Sequence, residues 1–381
     1  MKRSYIVLTT LFFASSALAA VTDWNWWGQV SFRQRHEVKR EYVDSPSDPR
    51  WGTIKSKEDN SSTLLGYQFG FKTNLRDNLF AGVTLRSGLR SDGTGSVMWQ
   101  EINNRTGLLP ALQEAYLDWN TPYVELIAGK IPQKGNPMWD LYSASLYIDF
   151  RQDDPTDGIF NDRMAALNGA RALVPVGPVT LRGTYHTDFV GGTRKHWYNS
   201  SQEDQYQPQM DQKTFLLGGE IKLSELARSR IPSALKEVEI TLDGDYGFVY
   251  RVRNMLRSDS VYADEDLWGA NLKASRRWLE FQAGYGHNFR DSVFKADYWD
   301  LLLSAEQYGF KLTGRYQDNR QEFLVGIYEG HEAMRRAYHI YLNKTLWGLD
   351  LQPRYIFSFS KVDDRKWKSS SRYELTATAR F

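Results

Sequence analysis

The chain ends SRYELTATARF, residues 371–381, and this stretch decides the fold. Tyr373, Leu375, Ala377, Ala379 and Phe381 fall on one side of an extended strand, and Arg372, Glu374, Thr376, Thr378 and Arg380 fall on the other. Strand side chains alternate with period two, so one face is apolar throughout and the other polar throughout. A wall built that way suits lipid on one side and water on the other. At about 3.3 Å per residue the segment reaches about 36 Å, and a tilt near 45° brings its vertical span to about the 25 Å apolar band of a membrane barrel.

The pattern recurs along the whole chain. Trp26, Gly28, Val30 and Phe32 alternate with Trp27, Gln29, Ser31, Arg33 and Arg35, and Leu65, Tyr67, Phe69, Phe71 and Leu75 alternate with Gly66, Gln68, Lys72 and Asn74. Further runs begin near residues 79, 111, 123, 164, 179, 214, 237, 267, 279, 299, 310, 337 and 349. The spacing predicts an all-β, transmembrane, antiparallel up-and-down barrel of about sixteen strands. Eighteen is the alternative, because Phe323, Val325 and Ile327 between Glu322 and Gly330 could add to the count.

The links alternate as well. Tight ones are expected at Arg76-Asp77-Asn78, Asn120-Thr121-Pro122, Val176-Gly177-Pro178, Ser275-Arg276-Arg277, Gln307-Tyr308-Gly309 and Trp347-Gly348. Long polar ones are expected at 38–62, 91–110, 132–163, 190–213, 254–265, 290–298, 318–336 and 361–370. Short periplasmic turns and long extracellular loops are the asymmetry of outer-membrane barrels. The link Ser224 to Lys236 departs from it, being longer and able to form a helical turn.

Composition agrees. Lys2 and Arg3, the apolar run Tyr5 to Phe13 and the small residues Ala17-Leu18-Ala19 read as an export leader, residues 1–19, leaving 20–381 as one barrel domain. There is no cysteine, which excludes disulfides, thiolate metal sites and a cysteine nucleophile. Without Lys2 and Arg3 the basic residues match the 46 acidic ones, which disfavours a nucleic-acid partner. Mean hydropathy of −0.56 and the lack of a later long apolar run exclude a helical membrane protein. They leave a barrel open, because every second residue there faces water. Aromatic content reaches 14%, and Trp26, Trp119, Trp268, Trp278, Trp299, Trp347 and Phe381 fall where strands would cross the membrane interfaces.

Closure follows from backbone chemistry. An open sheet edge in hydrocarbon would leave a row of unpaired N–H and C=O groups, at several kcal/mol each. A closed ring of about sixteen strands is too wide for side chains to fill, so water occupies its interior.

On these residues the chain resembles the bacterial outer-membrane porins. The likeness rests on the leader, the alternating strands and links, the Tyr373 to Phe381 end, and the phrases Glu114-Ala-Tyr-Leu-Asp-Trp119 and Leu126-Ile-Ala-Gly-Lys130 ahead of a long link. It implies passive diffusion of small hydrophilic solutes and ions, a surrounding of outer-membrane lipid and lipopolysaccharide, and recognition of Phe381 by the barrel-assembly machinery. Trimers are usual in the family, although the lipid-facing surface would read nearly the same in a monomer. The acidic-Phe-Gly phrase in the constriction loop of enteric general porins is missing, so their eyelet residues do not carry over.

Candidate site residues come from parity and from the link 132–163. Inward parity selects Arg33, Arg35, Arg86, Arg182, Arg251, Arg253, Arg315, Arg354 and Arg372. The link carries Asp140, Asp149, Asp153, Asp154, Asp157 and Asp162 with Lys134, Arg151 and Arg163. An acidic loop folded against a basic wall would orient polar solutes and set ion preference. The competing expectation is an ordinary solvated loop. A channel selective for sugars or anions is the alternative to a general pore, with Trp99, Trp139, Trp197 and Tyr198 as stacking or bracing residues.

Other chemistry is weakly supported. Asp153-Asp154-Pro155-Thr156-Asp157-Gly158 superficially resembles a calcium loop, but Pro155 takes a ligand position and Met164 stands where a bidentate Glu is required. No metal or cofactor is expected. His36, His186, His196, His287, His331 and His339 are scattered and form no zinc or triad phrase, so an enzyme is not expected. Parity puts His36 and His287 on the lipid side and pairs His186 with Asp188 inward.

Overall fold

The structure is a computed structural model that describes residues 24–43, 48–90, 111–131, 167–186, 213–226, 237–253, 262–290, 294–323, 329–363 and 365–381. The leader, the acidic link residues Asp140, Asp149, Arg151, Asp153, Asp154, Asp157 and Asp162, and Trp99, Trp139, Trp197 and Tyr198 lie outside the described residues.

Sixteen strands form the wall. They are β1 (Trp24–Tyr42), β2 (Ile54–Arg76), β3 (Leu79–Arg90), β4 (Ala111–Asn120), β5 (Glu125–Ile131), β6 (Leu167–Val176), β7 (Val179–His186) and β8 (Lys213–Lys222), then β9 (Glu239–Arg253), β10 (Tyr262–Arg276), β11 (Leu279–Arg290), β12 (Phe294–Gln307), β13 (Phe310–Phe323), β14 (Glu332–Leu346), β15 (Leu349–Val362) and β16 (Arg365–Arg380). Each pairs antiparallel with its chain neighbours, and β1 pairs with β16 to close the barrel. The seam reaches the last residue: Gly28 N donates to Phe381 O at 2.8 Å and Phe381 N donates to Gly28 O at 3.0 Å. The segment after Glu322 adds no strand among the described residues; β13 runs to Phe323.

The tight links sit at one end of the barrel. Tyr308 and Gly309 have φ of 52° and 71°, and Trp347 and Gly348 have 51° and 80°. Two positive φ values in a two-residue link make a type I′ turn, whose twist matches that of the strands it joins. The link after β10 falls at Arg277-Trp278, slightly beyond the expected position. At the β4–β5 link, Thr121 Oγ1 donates to Val124 O at 2.8 Å and accepts from Val124 N at 3.0 Å, which fixes the corner without glycine. The longer link after β8 begins with a single helical turn, α1 (Leu223–Leu226).

At the other end the expected links are partly strand. β1 and β2 stay in register from Trp24↔Thr73 to Glu41↔Ser56, through most of the stretch expected as the loop 38–62. β15 and β16 are separated only by residues 363–364, and β13 and β14 also extend into their expected link. The reason is that outward side chains above the apolar band need not be apolar. Alternation disappears there while backbone pairing continues.

The outer surface is apolar and aromatic. Trp24 stacks on Trp26 with centroids 5.6 Å apart, and Trp26 on Phe69 at 5.3 Å. Nearer the long-link end Tyr285 meets Trp299 at 4.4 Å and Tyr355 meets Tyr373 at 4.8 Å. Trp119, Trp278, Trp347 and Phe381 are exposed at the short-turn end, and Phe32, Leu301, Leu303, Ile340 and Leu375 are exposed between the two belts. Exposed apolar side chains bounded by two aromatic girdles mark the lipid contact of a membrane barrel.

Candidate functional site: the lumen wall

Parity delivers the charged groups to the inside. Arg33 and Arg35 of β1 stand opposite Thr376 and Glu374 of β16, and Arg354 of β15 stands opposite Glu374 from the other side. Glu374 is therefore flanked by basic strands on both edges, and its side chain has no exposed surface. Arg35 Nε donates to it at 2.6 Å and Arg354 Nε at 2.9 Å, with a further contact from Arg354 Nη2. Arg33 Nη1 lies 3.5 Å away and Arg372 Nε 3.8 Å. Arg33 also donates to Thr376 Oγ1 at 2.8 Å. A second carboxylate, Glu37, receives Arg372 Nη2 at 3.3 Å and the Ser370 hydroxyl at 2.7 Å.

Two smaller ion pairs lie elsewhere on the wall. Arg182 of β7 bridges Asp245, at 3.1 and 2.7 Å, and Asp243, at 2.7 Å. Arg315 of β13 grips Asp300 of β12 with Nε at 2.7 Å and Nη2 at 2.5 Å. The planar guanidinium fork matches a carboxylate edge, so such pairs hold both groups in one geometry. Arg86 is buried on β3 with the same inward parity. Arg251 and Arg253 fall on β9, but their side chains lie outside the described residues.

Arg33, Arg35, Arg182, Arg315, Arg354 and Arg372 do not stand as a bare basic wall: the same face carries countercharge in Glu374, Glu37, Asp243, Asp245 and Asp300. Each of these carboxylates shares the inward parity of its arginine. Applying the parity rule to acidic residues would have put them on the same face, though not beside a particular arginine.

Polar networks continue around the ring. Lys72 Nζ meets Asp118 Oδ2 at 3.0 Å, and the Thr84 hydroxyl donates to Glu114 at 2.8 Å. His339 lies 3.2 Å from Gln317 Oε1, and Gln317 Nε2 donates to the Tyr298 hydroxyl at 2.6 Å. His36 and His287 sit on the outer face as parity predicts: His36 stacks on Tyr373, and His287 Nδ1 lies 2.9 Å from Asp297.

No protein-family model matches the chain, and no curated protein matches it in sequence. Solved structures do. OprB of Pseudomonas putida is similar with a TM-score of 0.56 at 8% identity, covering 96% of each chain. OmpF of Salmonella typhi, solved in complex with daunomycin, gives a TM-score of 0.53 at 9% identity, covering 95% of this chain and 99% of its own. Outer-membrane expressed OmpT of Vibrio cholerae gives 0.52 at 11% identity, covering 95% of this chain and 100% of its own. Likeness at these identities is likeness of fold. The chain has the closed sixteen-strand fold of the outer-membrane porins, and the bacterial outer membrane is the place of that fold.

Proposed function

We propose that the chain forms a water-filled channel for passive diffusion of small hydrophilic solutes and ions across the outer membrane. The observation that carries this reading is the reversal of polarity across a single wall. Phe32, Leu65 and Leu375 point to lipid, while Ser31, Arg33, Glu374 and Thr376 on the same strands point inward. A ring of sixteen strands encloses more volume than its side chains fill. Solutes then move by electrodiffusion, with width set by strand number and selectivity by the charges fixed on the wall. The link 132–163 is proposed to narrow the lumen from one side.

The same reading is non-enzymatic. Among the described residues the nearest approach to a triad is His36, 3.1 Å from Ser61 Oγ and 3.6 Å from Asp59. His36 and Ser61 are directly opposite on the exposed outer face of β1 and β2, which is the contact of an ordinary cross-strand pair. Cleavage of the leader 1–19, reception of Phe381 by the barrel-assembly machinery, contact with lipid and lipopolysaccharide, and a homotrimeric assembly belong to the reading as well.

The finer alternative is a channel that prefers anions: among the described residues Arg33, Arg35, Arg354 and Arg372 converge on Glu374 and Glu37.

Liposome swelling tests the channel. Vesicles carrying the refolded chain are expected to swell in sugars and amino acids at rates that fall smoothly with solute size. Vesicles that swell no faster than protein-free ones would overturn the reading.

A further inference from the structure

Two aromatic side chains lie flat against the lumen wall near its short-turn end. Trp27 of β1 faces inward by the same parity as Gln29, Ser31 and Arg33, and stands opposite Gly70 of β2. A β-carbon on Gly70 would come within 2.6–2.8 Å of Cε2, Cζ2 and Nε1 of the indole, so the ring rests on that backbone. Tyr116 of β4 stands opposite Gly82 of β3, where a β-carbon would lie 2.5 Å from Cζ and 2.7 Å from the hydroxyl oxygen. Any larger residue at either glycine would lift the ring off the sheet.

The two rings are neighbours. Gly70 pairs with Thr84 and Gly82 pairs with Lys72, which makes the glycines diagonal partners across β2 and β3. Diagonal positions lie roughly 7–8 Å apart, about one ring width beyond contact, so indole and phenol form one floor. Trp27 keeps 40% of its surface open. Among the described residues neither its Nε1–H nor the Tyr116 hydroxyl makes a hydrogen bond.

The border of this floor is polar and carries both signs of charge. Gln29 Nε2 donates to Gln68 Oε1 at 2.7 Å, the Thr84 hydroxyl donates to Glu114, and Lys72 pairs with Asp118. An aromatic face matches the C–H face of a pyranose ring, while a border of donors and acceptors matches its hydroxyl edge. Lys72 and Arg171 stand among Glu114, Asp118 and Glu125, so the border mixes both signs of charge and presents no positive field to draw in an anion. We propose that Trp27 and Tyr116 form a binding platform for the ring of a neutral sugar passing along the lumen. The proposal rests on the channel reading, since the lumen is the route by which the sugar arrives.

Maltose is the probe and sorbitol, an acyclic polyol, its control. Binding is measured by calorimetry on the detergent-solubilised barrel, and current block in a planar bilayer. Maltose is expected to bind and block saturably, and sorbitol to do neither. Trp27→Ala and Tyr116→Ala should each weaken maltose by about three- to tenfold, the worth of one aromatic contact, with Trp27→Phe retaining most of the affinity. Gly70→Ala, which keeps the indole but displaces it, should reproduce the loss and guards against a Trp27→Ala variant that fails to fold. A linear maltose response, equal effects of sorbitol, or affinity unchanged in these variants would overturn the platform and leave the channel standing. A barrel that binds maltose through Trp27 and Tyr116 yet passes no current would uphold the platform and overturn the channel.

Discussion

The ring of Phe381 occupies the space that a β-carbon on Gly28 would need: the two would come within 2.4 Å. The same two residues exchange backbone hydrogen bonds across the β1–β16 seam. The last residue of the chain thus covers the barest stretch of the first strand, an aromatic ring standing in for the missing side chain.

Gly28→Ala is expected to displace this ring while leaving the barrel closed, because the clash falls on the far edge of a terminal side chain. The loss should be about 1 kcal/mol in urea unfolding, at the mild end of overpacking. Phe381→Ala in the Gly28→Ala background should add less than it does alone. Strict additivity would show that ring and glycine do not act as a unit.

Glu374 is fully enclosed among arginines. Glu374→Gln keeps the shape and removes the charge, leaving Arg33, Arg35 and Arg354 facing one another. Breaking a buried pair in this way costs about 3–5 kcal/mol. Unfolding should shift to lower urea, and the reversal potential in a salt gradient should move toward anions. An unchanged stability would show that the cluster is solvated.

Arg182 holds Asp243 and Asp245 on the opposite side of the barrel. Arg182→Glu sets three carboxylates together, and the reversal potential should move toward cations, with Arg182→Met showing the same direction to a smaller degree. Arg86→Glu is expected to act likewise from β3. Selectivity equal to the parent in both glutamate variants would remove these residues from the conducting path.

Outside the membrane span, Glu237 receives Arg276 Nη2 at 3.2 Å and Arg277 Nη2 at 3.1 Å. The hydrogen bond from Arg276, followed by the charge of Arg277, holds its carboxyl below the ordinary value. A carboxyl lowered in the folded state contributes stability that is present above its unfolded pKa and is lost as pH falls through the lower folded value. NMR titration of the labelled glutamate should find it below the ordinary value of about 4.3, and Arg276→Gln should raise it. A carboxyl already at the ordinary value in the parent would contradict the pairing.

The architecture was legible because lipid enforces a simple code. Within the apolar band each outward position must be apolar, so Val30, Phe32, Leu65 and Leu375 announce both strand and facing. Above the band that requirement lapses. The pairing of Glu41 with Ser56 was therefore invisible in sequence, although its backbone bonds resemble those of Phe32 with Leu65. The common face of Arg33, Arg35 and Ser31 on β1 was readable by parity alone. Their partners were not, because parity tells which face a residue takes but not which neighbour lies in register with it. That Glu374 meets Arg33, Arg35 and Arg354 depends on the β1–β16 and β15–β16 registers, and the first of these joins positions more than three hundred residues apart. The flat rings of Trp27 and Tyr116 were hidden for a related reason, since each depends on a glycine in the adjacent strand.

Single-channel recording in planar bilayers, with reversal potential taken across a salt gradient, addresses the hydrated lumen most directly because it reports width and wall charge together. The refolded barrel should give uniform, ohmic conductance steps that scale with salt concentration, and Glu374→Gln should shift their reversal potential toward anions. A correctly folded barrel that inserts but gives no steps would contradict a continuous aqueous path.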